Sequence, residues 1–141
     1  VMLTNHHQPE RVLSLLDRHW TDLDGLQVTV LGLSFKPHTD DVRETPAAAI
    51  VGLLLARGAS ITVFDPVAMP NFRRLVPDER IAYADTLEHA LVDAEAVVVV
   101  TPWPQFAALP TLLRKRHPPF VIDSRRVYSP REFADYAGIG G

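Results

Sequence analysis

Between Gly32 and Pro46 the chain reads GLSFKPHTDDVRETP, setting two cations, Lys36 and Arg43, among the acids Asp40, Asp41 and Glu44. Cations on such a stretch can hold phosphates through charge-assisted hydrogen bonds, lysine as a point charge and arginine as a planar fork. The same side chains can instead neutralise the acids on a solvated loop, and the pattern leaves both readings open. Arg125 and Arg126 form a second cationic pair with the same two readings. Asp65 is the residue type that binds a ribose hydroxyl in dinucleotide sites, although an Asp before Pro also starts turns. Trp103 and Phe106 present faces on which a base could stack, while packing is the commoner use of such rings.

Other chemistries find no support. The chain has no cysteine, which excludes disulfides, thiolate metal sites and a cysteine nucleophile within it. Among its six histidines only His6 and His7 are neighbours, and no metal-ligand spacing appears, so no metal is expected. No serine lies in a nucleophile-elbow sequence. Asp40 and Asp41 are adjacent on a loop, not an acid/base pair across a cleft. The loop after Leu31 is no dinucleotide fingerprint either. That motif is G-x-G-x-x-G, whereas here Gly32 is followed by Leu33, Ser34 and Phe35. The chain therefore holds no catalytic residue set of its own.

The elements that must position these residues can be read from hydrophobic spacing. Val12 to Trp20 has helical periodicity behind Pro9, placed in the first turn, and Gly25 ends that unit. Gln27 to Leu33 reads as a buried strand. Thr45 and Pro46 give an N-cap and a first-turn proline to a helix running to Gly58. Ser60 to Phe64 is a second strand, Phe72 to Leu75 a short helix and Ile81 to Tyr83 an edge strand. A helix follows over Thr86 to Val92, capped by Asp85 or Thr86. The valine run from Glu95 to Thr101 is the clearest strand. Trp103 to His117 carries one or two helical turns broken by Pro110, Phe120 to Asp123 is the final strand, and Pro130 to Tyr136 is a last short helix. Strands alternating with helices predict an α/β fold: an open parallel Rossmann-like sheet flanked by helices, with an N-terminal connecting helix. Residues 1–24 are read as the end of an interdomain or dimerisation helix and 25–141 as the sheet domain. Ligands of such sheets bind beyond the carboxyl ends of the strands. The loop at 32–46, Asp65, Thr101 to Phe106 and Asp123 to Arg126 all fall at that edge.

The bulk properties agree with one globular domain of 141 residues, 47% hydrophobic and 22% charged. A formal charge of -3 argues against nucleic-acid or membrane-surface partners. No apolar run is long enough for a membrane span, and VMLTNHHQPE lacks a signal-peptide layout. A cytoplasmic setting fits the lack of cysteine. Opening at Val1 directly into a helix, the sequence reads as cut from a longer protein. The apolar stripe of that helix predicts self-association.

With these residues in hand, a family becomes recognisable. The run VLGLSFKPHTDDVRETPA closely resembles the start of the C-terminal, UDP-binding domain of the UDP-glucose/GDP-mannose dehydrogenases, patterned G-x-[AS]-F-K-x-x-T-D-D-x-R-E-[ST]-P. ARGASITVFDP, the residues Thr101, Trp103 and Phe106, and VIDSRRVY resemble further family segments in the same order. The region around Asn5 resembles the end of the family's central helix, so the resemblance spans almost the whole chain. It implies an NAD-dependent, four-electron oxidation of a sugar C6 alcohol to a carboxylate through a cysteine thioester, in polysaccharide biosynthesis. That cysteine and the glycine-rich loop holding most of the NAD would lie in other domains, so this chain alone should be inactive. By motif position, Phe35 and Lys36 would contact the substrate, Arg125 likewise, and Arg43 would reach the NAD of a neighbouring domain; Arg126 falls where the family varies. The expected partners are UDP-glucose or a related UDP-sugar, the remaining domains of the enzyme, and further copies of itself in a homo-oligomer. T-x-W-x-x-F favours the UDP-glucose branch, while Ser34 also occurs in GDP-mannose enzymes. GDP-mannose and UDP-N-acetylmannosamine branches, and a non-catalytic interaction module, are the alternatives.

Overall fold

The structure, a computed structural model, describes residues 2–114 and 118–139, with backbone only for residues 2–7. Six parallel strands form a single sheet: β1 (Gln27–Leu31), β2 (Ser60–Phe64), β3 (Ile81–Tyr83), β4 (Ala96–Val99), β5 (Phe120–Asp123) and β6 (Tyr136–Gly138). They lie in the order β3-β2-β1-β4-β5-β6, so strand order reverses between β1 and β4. Register aligns the strand ends. Leu31 pairs with Phe64 and Val99, Val99 with Asp123, and Asp123 with Gly138. The residues that follow, Gly32, Asp65, Val100 and Ser124, therefore leave the sheet along one common edge.

Burial on both faces explains the valine run of β4. Ala96 and Val98 point with Val28, Val30, Ile61, Val63 and Ile122 into a core closed by helices α1 (Met2–His19) and α2 (Pro46–Ala56). Val97 and Val99 point the other way with Leu31, Phe64 and Val121. That second core is closed by α4 (Leu87–Leu91), α5 (Leu109–Leu113) and Phe106. A parallel strand covered by helices on both sides has no polar face, so its sequence does not alternate.

Several elements stand where the spacing predicts them, including β2, β3 and β5. Thr45 caps α2, its hydroxyl accepting from the Ala47 amide at 3.3 Å, with Pro46 in the first turn. Thr86 rather than Asp85 caps α4, accepting from His89 N at 3.1 Å. Other expectations are corrected. Pro9 lies inside α1 instead of opening it. β1 ends at Leu31 and β4 at Val99, because the following residues turn into loops that build the carboxyl edge. The short helix α3 spans Met69–Leu75, a turn longer than expected. Pro110 does not break a helix: a 3-10 turn over Pro104–Ala108 leads into α5, where Pro110 occupies the first turn and has no intrahelical partner to lose. Residues 115–117 of that expected helix lie outside the described residues. Phe120–Asp123 is not the last strand. Pro130–Glu132 is only a 3-10 turn, and Tyr136–Gly138 adds β6 at the edge.

The apolar stripe of α1 is also reassigned. Val12 and Leu16 are wholly buried and Leu13 is nearly so, packed within the same core as Ile50 and Leu54 of α2. This chain itself covers these residues of the stripe, so they offer no apolar surface for self-association. No described helix is long and apolar enough to cross a membrane.

Candidate functional site

The carboxyl edge is assembled around Asp65, a wholly buried carboxylate at the end of β2. Its Oδ2 accepts from Leu33 N at 2.7 Å, Ser34 N at 3.3 Å and Trp103 Nε1 at 3.0 Å. Its Oδ1 accepts from Val67 N at 2.9 Å and Ala68 N at 2.8 Å. One side chain thus joins the exits of β1, β2 and β4. A buried charge is tolerable only when hydrogen-bonded in this way. With both oxygens occupied by protein donors, Asp65 is an organiser of the edge and not a ribose ligand.

Two more contacts seat the first loop. Gly32 has φ 89, and a Cβ there would fall 2.5 Å from Thr101 atoms, so only glycine lets the β1 and β4 exits approach. Thr101 Oγ1 donates to Ser34 O at 2.6 Å. Beyond this base the chain folds back on itself, Phe35 N donating to Asp41 O at 2.7 Å and Ser34 Oγ to Lys36 O at 2.7 Å. His38, at φ 68, sets its ring edgewise to Trp103 with centroids 5.4 Å apart. Glu44 is a second non-glycine residue at positive φ, 59. Left-handed backbone at such residues is costly, and the loop holds it twice.

Phe35 and Lys36 emerge from this scaffold. Phe35 is 39% exposed, unusual for a ring of its size, and Lys36 is exposed with no described carboxylate in ion-pair range. Arg43 behaves differently. Its Nε and Nη2 grip the Asp41 carboxylate at 3.0 and 2.8 Å, and its own amide donates to the same group at 2.9 Å. The guanidinium bonds, then the amide, hold the Asp41 carboxyl down at about 2. The salt-bridge reading thus holds for Arg43 and not for Lys36. Arg43 is still 87% exposed in its side chain, and no described hydrogen bond engages its Nη1.

Arg125 leaves the sheet after β5. Its amide donates to Asp123 Oδ1 at 3.3 Å, and its exposed side chain has no described carboxylate within ion-pair distance. Register thus brings Phe35, Lys36 and Arg125 to one edge, while Arg43 sits at the far end of the same loop. No hydrogen bond or ion pair links Lys36, Arg43 and Arg125 among the described residues. Trp103 and Phe106 are buried at 8% and 1% exposure, which makes them packing residues and leaves no free ring face for a base. The rim of Trp103 does help line, with Pro102, Val127 and Tyr128, a cleft of about 360 Å³ between the β4 and β5 exits.

One cluster escaped the sequence reading. Buried Asp123 accepts from Tyr128 N at 2.9 Å and Tyr136 Oη at 2.9 Å, and Tyr128 Oη donates to Phe106 O at 2.6 Å. Burial, helped by the Asp123 charge, pushes the Tyr128 phenol well up. Burial and the hydrogen bond to Asp123 raise Tyr136 to about 12. Both phenols stay neutral and brace the loop that carries Arg125. Nothing in VIDSRRVY signals this, because the partner Tyr136 arrives through β6.

A dinucleotide does not fit this edge. Pro46 has no amide proton, and the Ala47 amide is taken by Thr45, so the α2 N-terminus has few donors to offer a pyrophosphate. Cations on strand-end loops stand where a dinucleotide domain has its glycine-rich turn, on a sheet of the Rossmann-like class.

The chain belongs to the UDP-glucose/GDP-mannose dehydrogenase family, whose UDP binding domain matches residues 29–130. It is 46% identical over 135 residues to a UDP-glucose 6-dehydrogenase of Haloferax volcanii, covering 96% of this chain and 31% of that protein. A UDP-glucose 6-dehydrogenase of Rhizobium meliloti is 39% identical over 125 residues, 84% of this chain and 28% of the relative. The structure of a UDP-glucose dehydrogenase from the archaeon Pyrobaculum islandicum superposes with a TM-score of 0.83 at 37% identity, over 95% of this chain and 30% of that one. A GDP-mannose dehydrogenase of Pseudomonas aeruginosa shares the fold, with a TM-score of 0.74 at 21% identity. The chain spans less than a third of the length of each relative.

Proposed function

We propose that this chain is the UDP-sugar-binding part of an NAD-dependent, cytoplasmic UDP-glucose 6-dehydrogenase, whose complete form oxidises the C6 alcohol of UDP-glucose to the carboxylate of UDP-glucuronate. The observation that carries this reading is Lys36: an exposed ammonium with no described carboxylate partner, inside the family-matching segment, on the sheet edge where α/β folds take ligands. Lys36 meets the diphosphate as a point charge, Arg125 adds a planar donor set from the β5 loop, and Phe35 supplies an apolar face against the nucleotide sugar. The rigid base built by Asp65, Gly32 and Thr101 fixes where these groups stand, which limits the entropy lost on binding.

NAD, the hydride acceptor of such an enzyme, is held mainly by other segments. Arg43 is this chain's contribution toward it. Nε and Nη2 hold Asp41, so Nη1 can donate to a cofactor phosphate without that clamp being released. Lacking both cysteine and a dinucleotide loop, the chain by itself binds and orients substrate but does not oxidise it.

Calorimetric titration of the chain with UDP tests this reading. The wild type should bind, and Lys36→Ala should weaken binding at least about tenfold, or roughly 1.4 kcal/mol. Equal affinity in the two proteins would remove Lys36 from the site, and no binding by either would remove the diphosphate from this edge.

A further inference from the structure

Away from the β1 loop, a second cationic feature lies along α1. Arg11, Ser14, Leu15 and Arg18, spaced three and four residues apart, form one helix face. They line an open groove of about 380 Å³ whose other wall is Arg126, Gly138 and Ile139, at the exits of β5 and β6. Three arginines and a serine thus line one space, and no carboxylate lines it among the described residues.

Two nearby acids are committed elsewhere, while Glu10, next to Arg11, makes no described ion pair. Asp17 pairs with Arg57 at 2.6 Å, and Asp135 with His19 at 2.8 Å. Neither Arg11 nor Arg18 has a described carboxylate within ion-pair distance. Arg18, in the last turn of α1, offsets the negative end of the helix dipole. That explanation does not reach Arg11, two turns earlier. Gly138 sits tightly in this wall: a Cβ there would lie 3.0 Å from Tyr136 Oη and 3.1 Å from Arg126 Cγ, so the missing side chain leaves room for both. In a chain whose formal charge is -3, this local surplus of cations is a focused positive field.

We infer that the α1–β6 groove is a binding site for a phosphoryl anion of the diphosphate class. A helical rise of 1.5 Å per residue sets Arg11 and Arg18 about 10 Å apart along the axis, too far for one carboxylate to engage both. A diphosphate, with charge and acceptors at both ends, can bridge them and leave Arg126 to close the third side.

The test is a titration of the isotopically labelled chain with inorganic pyrophosphate at constant ionic strength, followed through backbone amide and arginine Nε–H resonances. Saturable shifts should appear at Arg11, Arg18 and Gly138. The Arg11→Gln/Arg18→Gln double variant, with its spectrum otherwise unchanged, should bind at least tenfold more weakly. Shifts confined to residues 33–45, shifts reproduced by sodium chloride at matched ionic strength, or equal binding by the double variant would each overturn the proposal. A parallel titration with UDP separates the source of the diphosphate: groove shifts there point to a nucleotide, and groove shifts with pyrophosphate alone point to a free oligophosphate. The response of the Lys36 loop in that second arm reports independently on the proposed UDP site.

Discussion

Asp65 and Lys36 divide the work at the residue scale, since one organises the edge and the other is left free by it. Five protein donors converge on the buried Asp65 side chain, so a change there disturbs that whole arrangement. Asp65→Asn keeps the shape but turns an NH₂ toward groups that are themselves donors. The substitution should lower the stability of the chain by about 3 kcal/mol, because hydrogen bonds to a charged group are lost and donors are left unpaired. Denaturant unfolding would show this as a lower midpoint at unchanged slope. An unchanged midpoint would mean that Asp65 does not hold the three strand exits together. Arg43 and Lys36 make the complementary point. They look alike in sequence, yet among the described residues the Asp41 carboxylate makes an ion pair with Arg43 and touches Lys36 only through its field.

At the scale of elements, the contact that sets the site is the approach of the β1 exit to the β4 exit. Gly32 combines φ 89 with a 2.5 Å approach of its would-be Cβ to Thr101. Gly32→Ala would strain the backbone and push the two exits apart together, a combined cost of about 3 kcal/mol or more. The same shift would displace Ser34, whose carbonyl receives the Thr101 hydroxyl, and with it Phe35 and Lys36. UDP affinity should therefore fall even under conditions where the variant remains folded. Calorimetry on the folded variant is the check, and native affinity there would show that the loop is positioned by other contacts. Residues far along the chain serve the same edge. Gln8 of α1 donates its side-chain amide to Ser124 O at 3.0 Å, tying the helix to the turn that carries Arg125.

For the whole molecule, α1 decides how many folding units there are. The sequence reading divides the chain at residue 24, yet Leu16 is buried among residues of α2 and the sheet. Leu16→Ala should cost about 3 kcal/mol and leave a single unfolding transition, as expected when a buried leucine of one cooperative core is truncated. Separate transitions for helix and sheet in calorimetry would show that residues 1–24 form a unit of their own.

How much was legible follows the range of the forces involved. The alternation of β-branched runs with capped, periodic helices is local, so the parallel α/β sheet, the Thr45 cap and the short strands β2, β3 and β5 could be read directly. The dense motif from Gly32 to Pro46 likewise carried the family, because its patterned residues lie within one loop. Partner choice was not local. Tertiary structure alone decided that Arg43 is clamped by Asp41, that Asp65 and Trp103 satisfy each other across 38 residues, and that Tyr136 arrives beside Asp123 on a three-residue strand too short for any periodicity. It also decided that the apolar stripe of α1 has a cover within its own chain. Periodicity shows that a face must be buried, whereas only the packed sheet shows what buries it.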